Sequence, residues 1–199
     1  GKSAPNDTGG AYMFKINYAI MDTEDEIKTF TPSDCCITGP FEIVVNEKGH
    51  GDYSEDEQIR KCPVFFEILP FWFEYLTTIV KEIKKHGYAL LNEIESYNTW
   101  IEFIYKENDI ELSIIRVEKW NECGLLSFER ILPPEIEYGE WKKERITFDE
   151  FSNEVINAAD RFLRTIYSIN PTLREDYTLG MIEKNLIALK KRKMTLTKK

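Results

Sequence analysis

The chain is poor in the residues that do chemistry. Across 199 residues it has two histidines, His50 and His86, and four cysteines, Cys35, Cys36, Cys62 and Cys123. No C-x-x-C spacing occurs, which argues against a zinc ribbon or a thioredoxin-like motif. Neighbouring cysteines such as Cys35 and Cys36 rarely bridge each other, because the geometry strains the bond. Free thiols in a reducing cytosol are therefore the expectation, with buried, inert cysteine as the default role. G-x-S-x-G, Walker A and G-x-G-x-x-G motifs are all missing, so hydrolase and nucleotide-binding readings lack their most specific support. A long apolar run is missing too. The most apolar window, "CPVFFEILPFWFEYLTTIV", is broken by Glu67, Pro70 and Glu74 and is too polar to span a bilayer.

What the chain has in excess is acid. Asp and Glu number 35 against 26 Lys and Arg, for a net charge of -9. The last ten residues, "KKRKMTLTKK", supply six positive charges, which leaves -15 on residues 1–189. A body that acidic repels phosphate backbones, so nucleic acid is a poor ligand for it and a basic partner a good one. The basic end reads as a solvated extension. Hydrophobic residues make up 42% of the chain, enough for one good core. The division expected is residues 1–12 as an appended or disordered segment, 13–189 as a single α+β domain, and 190–199 as a basic tail.

Periodicity supplies the elements. "MFKINYAIM" alternates Phe14, Ile16, Tyr18 and Ile20 with polar or small residues, as a half-buried strand does. "TEDEIKTFTPSD" reads as polar turn, and "FEIVV" (41–45) as a second strand. From Pro70 to the stop at Gly87, Trp72, Phe73, Leu76, Ile79, Val80 and Ile83 form one helical stripe. "TWIEFIYKENDIELSIIRVE" is a hairpin turning at "KEND", and "LLSFERIL" a third meander strand ended by Pro133-Pro134. In "ITFDEF", Thr147 and Glu150 have capping-box spacing, with Ile146 and Phe151 placed as a hydrophobic staple. That helix should stop before Asn170-Pro171, and a last one should run from about Leu173 to Arg192. The fold class expected is α+β: a mostly antiparallel sheet of about five strands with three helices packed mainly on one face.

Two stretches draw attention as sites. "NEKGHGDYSEDEQ" (46–58) sets His50 beside Asp52, Glu55, Asp56 and Glu57, with Tyr53 among them. It lacks converging histidines or cysteines and the EF-hand spacing, so metal is disfavoured. It reads as a solvated loop with His50 near its tip, and contact with a partner is the alternative. "PPEIEYGEWKKERI" (133–146) interleaves Glu135, Glu137 and Glu140 with Tyr138 and Trp141. Aromatic anchors concentrate binding energy at interfaces, and acids around them steer a basic partner. The competing reading has Tyr138 and Trp141 covering a sheet edge. Glu102 and Glu111 are expected to face each other across the hairpin, in a solvated ladder with Lys106 and Arg116. No cofactor, metal or catalytic residue is nominated.

The early strand "FEIVVNEKG", the aromatic helix "FWFEYLTTIVKEI" and the late "ITFDEFSNEVINAADRFLRTIYSINPTL" give the chain a texture that resembles bacterial immunity proteins of polymorphic and contact-dependent growth inhibition toxin systems. The resemblance covers most of the chain from Met13 and is one of pattern, without a diagnostic motif. It implies a cytoplasmic, non-catalytic α+β domain that binds one cognate toxin domain, often a basic nuclease, and occludes it. The basic tail departs from that pattern. Two other classes stay open: a hydrolase or nuclease, which needs His and carboxylates converging in a pocket, and an adaptor or self-associating module, which needs a broad apolar patch.

Overall fold

A computed structural model describes residues 13–57, 66–93, 96, 98–117 and 125–196. Cys62, Cys123 and both ends of the chain, residues 1–12 and 197–199, lie outside them, as does Gln58. The chain is α+β, and every strand pairing among the described residues is antiparallel. Strand β1 (Phe14–Tyr18) leads to helix α1 (Glu24–Thr29), β2 (Thr38–Gly39), β3 (Phe41–Val45) and β4 (Lys48–Asp52). Then follow β5 (Glu67–Ile68), helix α2 (Leu69–His86), β6 (Tyr88–Asn92), β7 (Thr99–Lys106) and β8 (Asp109–Arg116). Short strands β9 (Leu126–Ser127), β10 (Glu137–Tyr138) and β11 (Glu144–Thr147) precede helix α3 (Phe148–Ile169), a 3-10 turn (Pro171–Glu175) and helix α4 (Tyr177–Leu196).

The counts differ from those the sequence suggests. Among the described residues there are four helices and three sheets: β1-β3-β4, the pair β2-β5, and a six-stranded sheet ordered β10-β8-β7-β6-β9 with β11 also on β8. Helix α1 escapes a periodicity search because six residues bury one side chain, Ile27, although Thr23 and Glu26 close a full capping box. Strand β6 escapes because its first four residues are all buried, which erases alternation. "LLSFERIL" contributes two paired residues and packs Phe128 on the main core, and from Leu132 to Tyr138 the chain then runs over the sheet's outer face as a strap.

Other expectations hold. The "ITFDEF" capping box is complete, Pro70 sits in the first turn of α2, and Gly87 ends that helix at φ 73°. Left-handed backbone there costs glycine little.

One continuous core joins the small sheet β1-β3-β4 and the large six-stranded sheet to the helices. Phe73 of α2 meets Tyr18 and Phe41 of the small sheet edge-on (ring centroids 5.1 and 5.8 Å) and stacks on Phe162 of α3 at 4.8 Å. Phe151, at the start of α3, reaches Phe14 of the small sheet at 5.1 Å and Phe103 of the large one at 5.6 Å. The same α3 thus closes over both sheets. Asn185 of α4 is fully buried, donates to Thr77 and Thr78 of α2 and accepts from Lys81, which fixes the register of that helix pair.

The outer face of the large sheet carries a second, smaller cluster: Tyr88, Leu90, Trp100, Ile115 and Val117, covered by Leu132, Ile136 and Tyr138 of the strap. Glu102 lies on that face, 2% exposed, and accepts a hydrogen bond from Tyr88 Oη at 3.0 Å. It opposes Ser113, while Glu111 opposes Ile104, so the two acids are not a facing pair.

The basic tail is also more structured than expected. α4 continues to Leu196, Lys190 pairs with Asp160, and Arg192 donates to the Lys81 carbonyl. Among the described residues no helix is long and apolar enough to cross a membrane.

Removing the ring that joins small sheet, α2 and α3 should be costly: Phe73→Ala is expected to lose about 3–5 kcal/mol in chemical denaturation. Thr147→Ala, which deletes a cap, should lose about 1 kcal/mol. A smaller loss for Phe73→Ala than for the cap would contradict this account of the core.

Candidate functional site

The stretch expected to be a loop around His50 is a β-hairpin. Asn46 and Glu47 both adopt left-handed backbone (φ 48° and 69°), the signature of a two-residue turn whose twist matches its flanking strands. Val45 then opposes Lys48, Ile43 opposes His50, and Phe41 opposes Asp52. Opposed residues share a face, so His50 follows Ile43 towards the core, and its side chain is 9% exposed. It is not at a loop tip.

Strand β4 reads "KGHGD" and contains no apolar side chain. Its seat on the large sheet is polar, and Trp141 makes it. The indole is fully buried, lies 5.5 Å from the His50 ring, and donates from Nε1 to the Lys48 carbonyl at 2.9 Å. Its own backbone carbonyl accepts from Ile114 N at 3.0 Å, and Gly139 N donates to Ile114 O at 2.8 Å. A Cβ on Gly139 would stand 2.6 Å from the Ile114 side chain, so this close approach to β8 requires glycine.

Charged groups complete the seat. One Glu140 oxygen bonds His50 Nδ1, and the other accepts from Arg116 at 2.9 Å. On the far side of the ring, Glu93 Oε1 stands 3.4 Å from His50 Nε2, within ion-pair reach but without a hydrogen bond, and Nε2 is sealed from solvent. Lys48 pairs with Glu144, and Asn46 donates to Glu144 and to the Arg145 carbonyl, each at 3.2 Å. Burial works against the charged imidazole, but the pull of Glu93 and Glu140 outweighs it and lifts His50 above its ordinary range. Burial likewise opposes the Glu140 carboxylate, and His50 and Arg116 together hold it below the usual range.

The nominated residues divide accordingly. The His50–Glu140 contact joins the two stretches that stand 90 residues apart in sequence. Asp52 ends β4 and is exposed, as are Glu135 and Glu137. The last two line a groove of about 860 Å³ beside Arg116, Pro133, Pro134 and Ile136. Trp141 is no surface anchor, because its ring is wholly enclosed. Tyr138 is half-buried against the second cluster, with Lys142 Nζ 5.0 Å above its ring. Tyr53 turns the other way, into a groove along β1 with Lys15, Glu154 and Arg161. Glu55, Asp56 and Glu57 are exposed beyond it.

Glu93, Arg116 and Lys48 were not nominated from sequence. The turn pair Asn46-Glu47 after "FEIVV" was the available signal for β4, whereas nothing local marks Glu93.

His and carboxylates therefore do converge, but none of the cavities described is lined by His50, and the ring is enclosed. That arrangement links the β3–β4 hairpin to the large sheet. The three groups do not make a metal-ligand arrangement. Burial first, then Asp176, Cys36 and Asp22, push the Cys35 thiol up to about 12, and burial also raises Cys36. Both are poor nucleophiles at neutral pH. No protein-family model, curated protein or solved structure matches the chain.

Trp141→Phe keeps the bulk of the ring and removes the donor to Lys48. It should cost about 1–3 kcal/mol and raise amide exchange in β4 while leaving β7 and β8 protected. Uniform loss of protection, or none, would contradict the assigned role.

Proposed function

We propose that the protein is a non-catalytic binding protein of the immunity type, which neutralises a basic toxin domain by covering it. The observation that carries this reading is the joining, through His50 and Glu140, of two acidic stretches on a chain whose first 189 residues carry -15. A negative field of that size accelerates encounter with a basic protein and falls off with salt. The groove beside Arg116, walled by Pro133, Pro134 and Ile136 and edged by Glu135 and Glu137, offers a rigid apolar floor for an anchoring side chain. The partner is a folded basic domain; nucleic acid does not suit the acidic body. The compartment that goes with this reading is the cytoplasm, where cysteines such as Cys35 and Cys36 stay as free thiols.

Asp52, Glu135 and Glu137 are exposed and none of them touches His50; because Asp52 lies on the His50 face of β4, its reversal is paired with a check that β4 amide exchange is unchanged. Asp52→Lys, Glu135→Lys and Glu137→Lys together should weaken binding to the purified cognate toxin domain by at least about tenfold, mostly through the association rate. The slope of affinity against salt should flatten as well. Unchanged affinity with an unchanged salt slope would remove this face from the interface.

A further inference from the structure

We propose that the His50 imidazolium is a proton-operated latch: clasped between Glu93 and Glu140, it docks the β3–β4 hairpin on the large sheet, and loss of its proton releases β4. The inference concerns the fold and holds whatever the protein binds.

The geometry favours a charged ring. His50 is held by carboxylates from two separate elements of the large sheet, Glu93 following β6 and Glu140 between β10 and β11. A neutral imidazole has one N–H and one lone pair, so one carboxylate would then face a lone pair in an enclosed site. The remaining residues of β4 are Lys48, Gly49, Gly51 and Asp52, all exposed, so apart from the Trp141 ring against His50 the strand brings no apolar side chain to the seat. The other charged groups around the ring are accounted for. Arg116 sits on the outer oxygen of Glu140, Glu144 is taken by Lys48, and Asp52 lies two residues along β4 on the His50 face. Of these, Arg116 favours the neutral ring and Asp52 the charged one, while Glu93 and Glu140 are the groups in direct contact.

The direction with pH follows from a folded-state value lifted above the ordinary 6.5. The latch is fully engaged below the unfolded value and is lost as pH rises through the folded one. Trp141 Nε1–H, donating to Lys48, stays as a hinge point that keeps the hairpin tethered while its outer strand opens.

The test is an NMR titration of the intact protein from pH 5 to 9. It follows the His50 Cε1–H resonance, the Trp141 indole N–H, and β4 amide exchange corrected for its intrinsic pH dependence. His50 should titrate above its ordinary value, and β4 protection should fall in step, about tenfold for each unit by which the folded value exceeds that of the undocked state. His50→Gln should leave β4 at the low, pH-independent protection, with α2 and α3 unaffected. Should His50→Gln fail to fold, Glu93→Gln decides instead, lowering the His50 midpoint and the β4 transition together. A His50 midpoint at or below the ordinary value would overturn the latch. So would β4 protection that ignores the titration, or a β4 transition that stays put in Glu93→Gln.

Discussion

The arrangement of the molecule around its acidic face depends on how Trp141 is held. Its backbone is tied to β8 through Ile114, and its side chain is tied to β4 through the Lys48 carbonyl. One residue thereby fixes the small sheet against the large one at a place where the strand being fixed has no apolar side chain to contribute. A buried indole normally requires a partner for its N–H, and here that requirement is met across the sheet boundary. Everything polar at this boundary, His50 between two glutamates and Lys48 on Glu144, is organised around that seat.

Local signals in the sequence carried the parts of the fold that are locally determined. Thr147 and Glu150 cap α3 within four residues of each other, and Gly87 stops α2 because its own backbone must turn left-handed. The hairpin of β7 and β8 is legible because its polar KEND turn separates two runs rich in β-branched and aromatic residues. Strand β4 was misread for the opposite reason. Its binary pattern is empty, and the group that seats it on the large sheet, Trp141, arrives 93 residues later. Strand β6, buried on both faces, had no alternation to show. The acids of the site were legible by composition, whereas the roles of Glu93 and Arg116 were not. A carboxylate that clasps a histidine has no sequence signature distinct from one that faces water.

That division matters for how the face is understood. Trp141 and Tyr138, attractive as anchors in a linear reading, are largely structural, one fully and one half enclosed. In the proposed function, recognition falls to the exposed acids and the groove beside Arg116. Charge of this kind governs encounter rate and partner choice more than it governs residence time. An inhibitor acting by occlusion needs both, and the proline-walled groove is the feature of this face suited to slow release.

The most direct test of the central claim is carboxylate footprinting by mass spectrometry of the protein alone and with its cognate toxin domain bound. If the two acidic stretches form one binding face, Asp52, Glu135 and Glu137 lose reactivity together in the complex, while Glu175 and Glu183 at the helical end do not change. Protection of one stretch alone, or protection confined to the helical end, would contradict it.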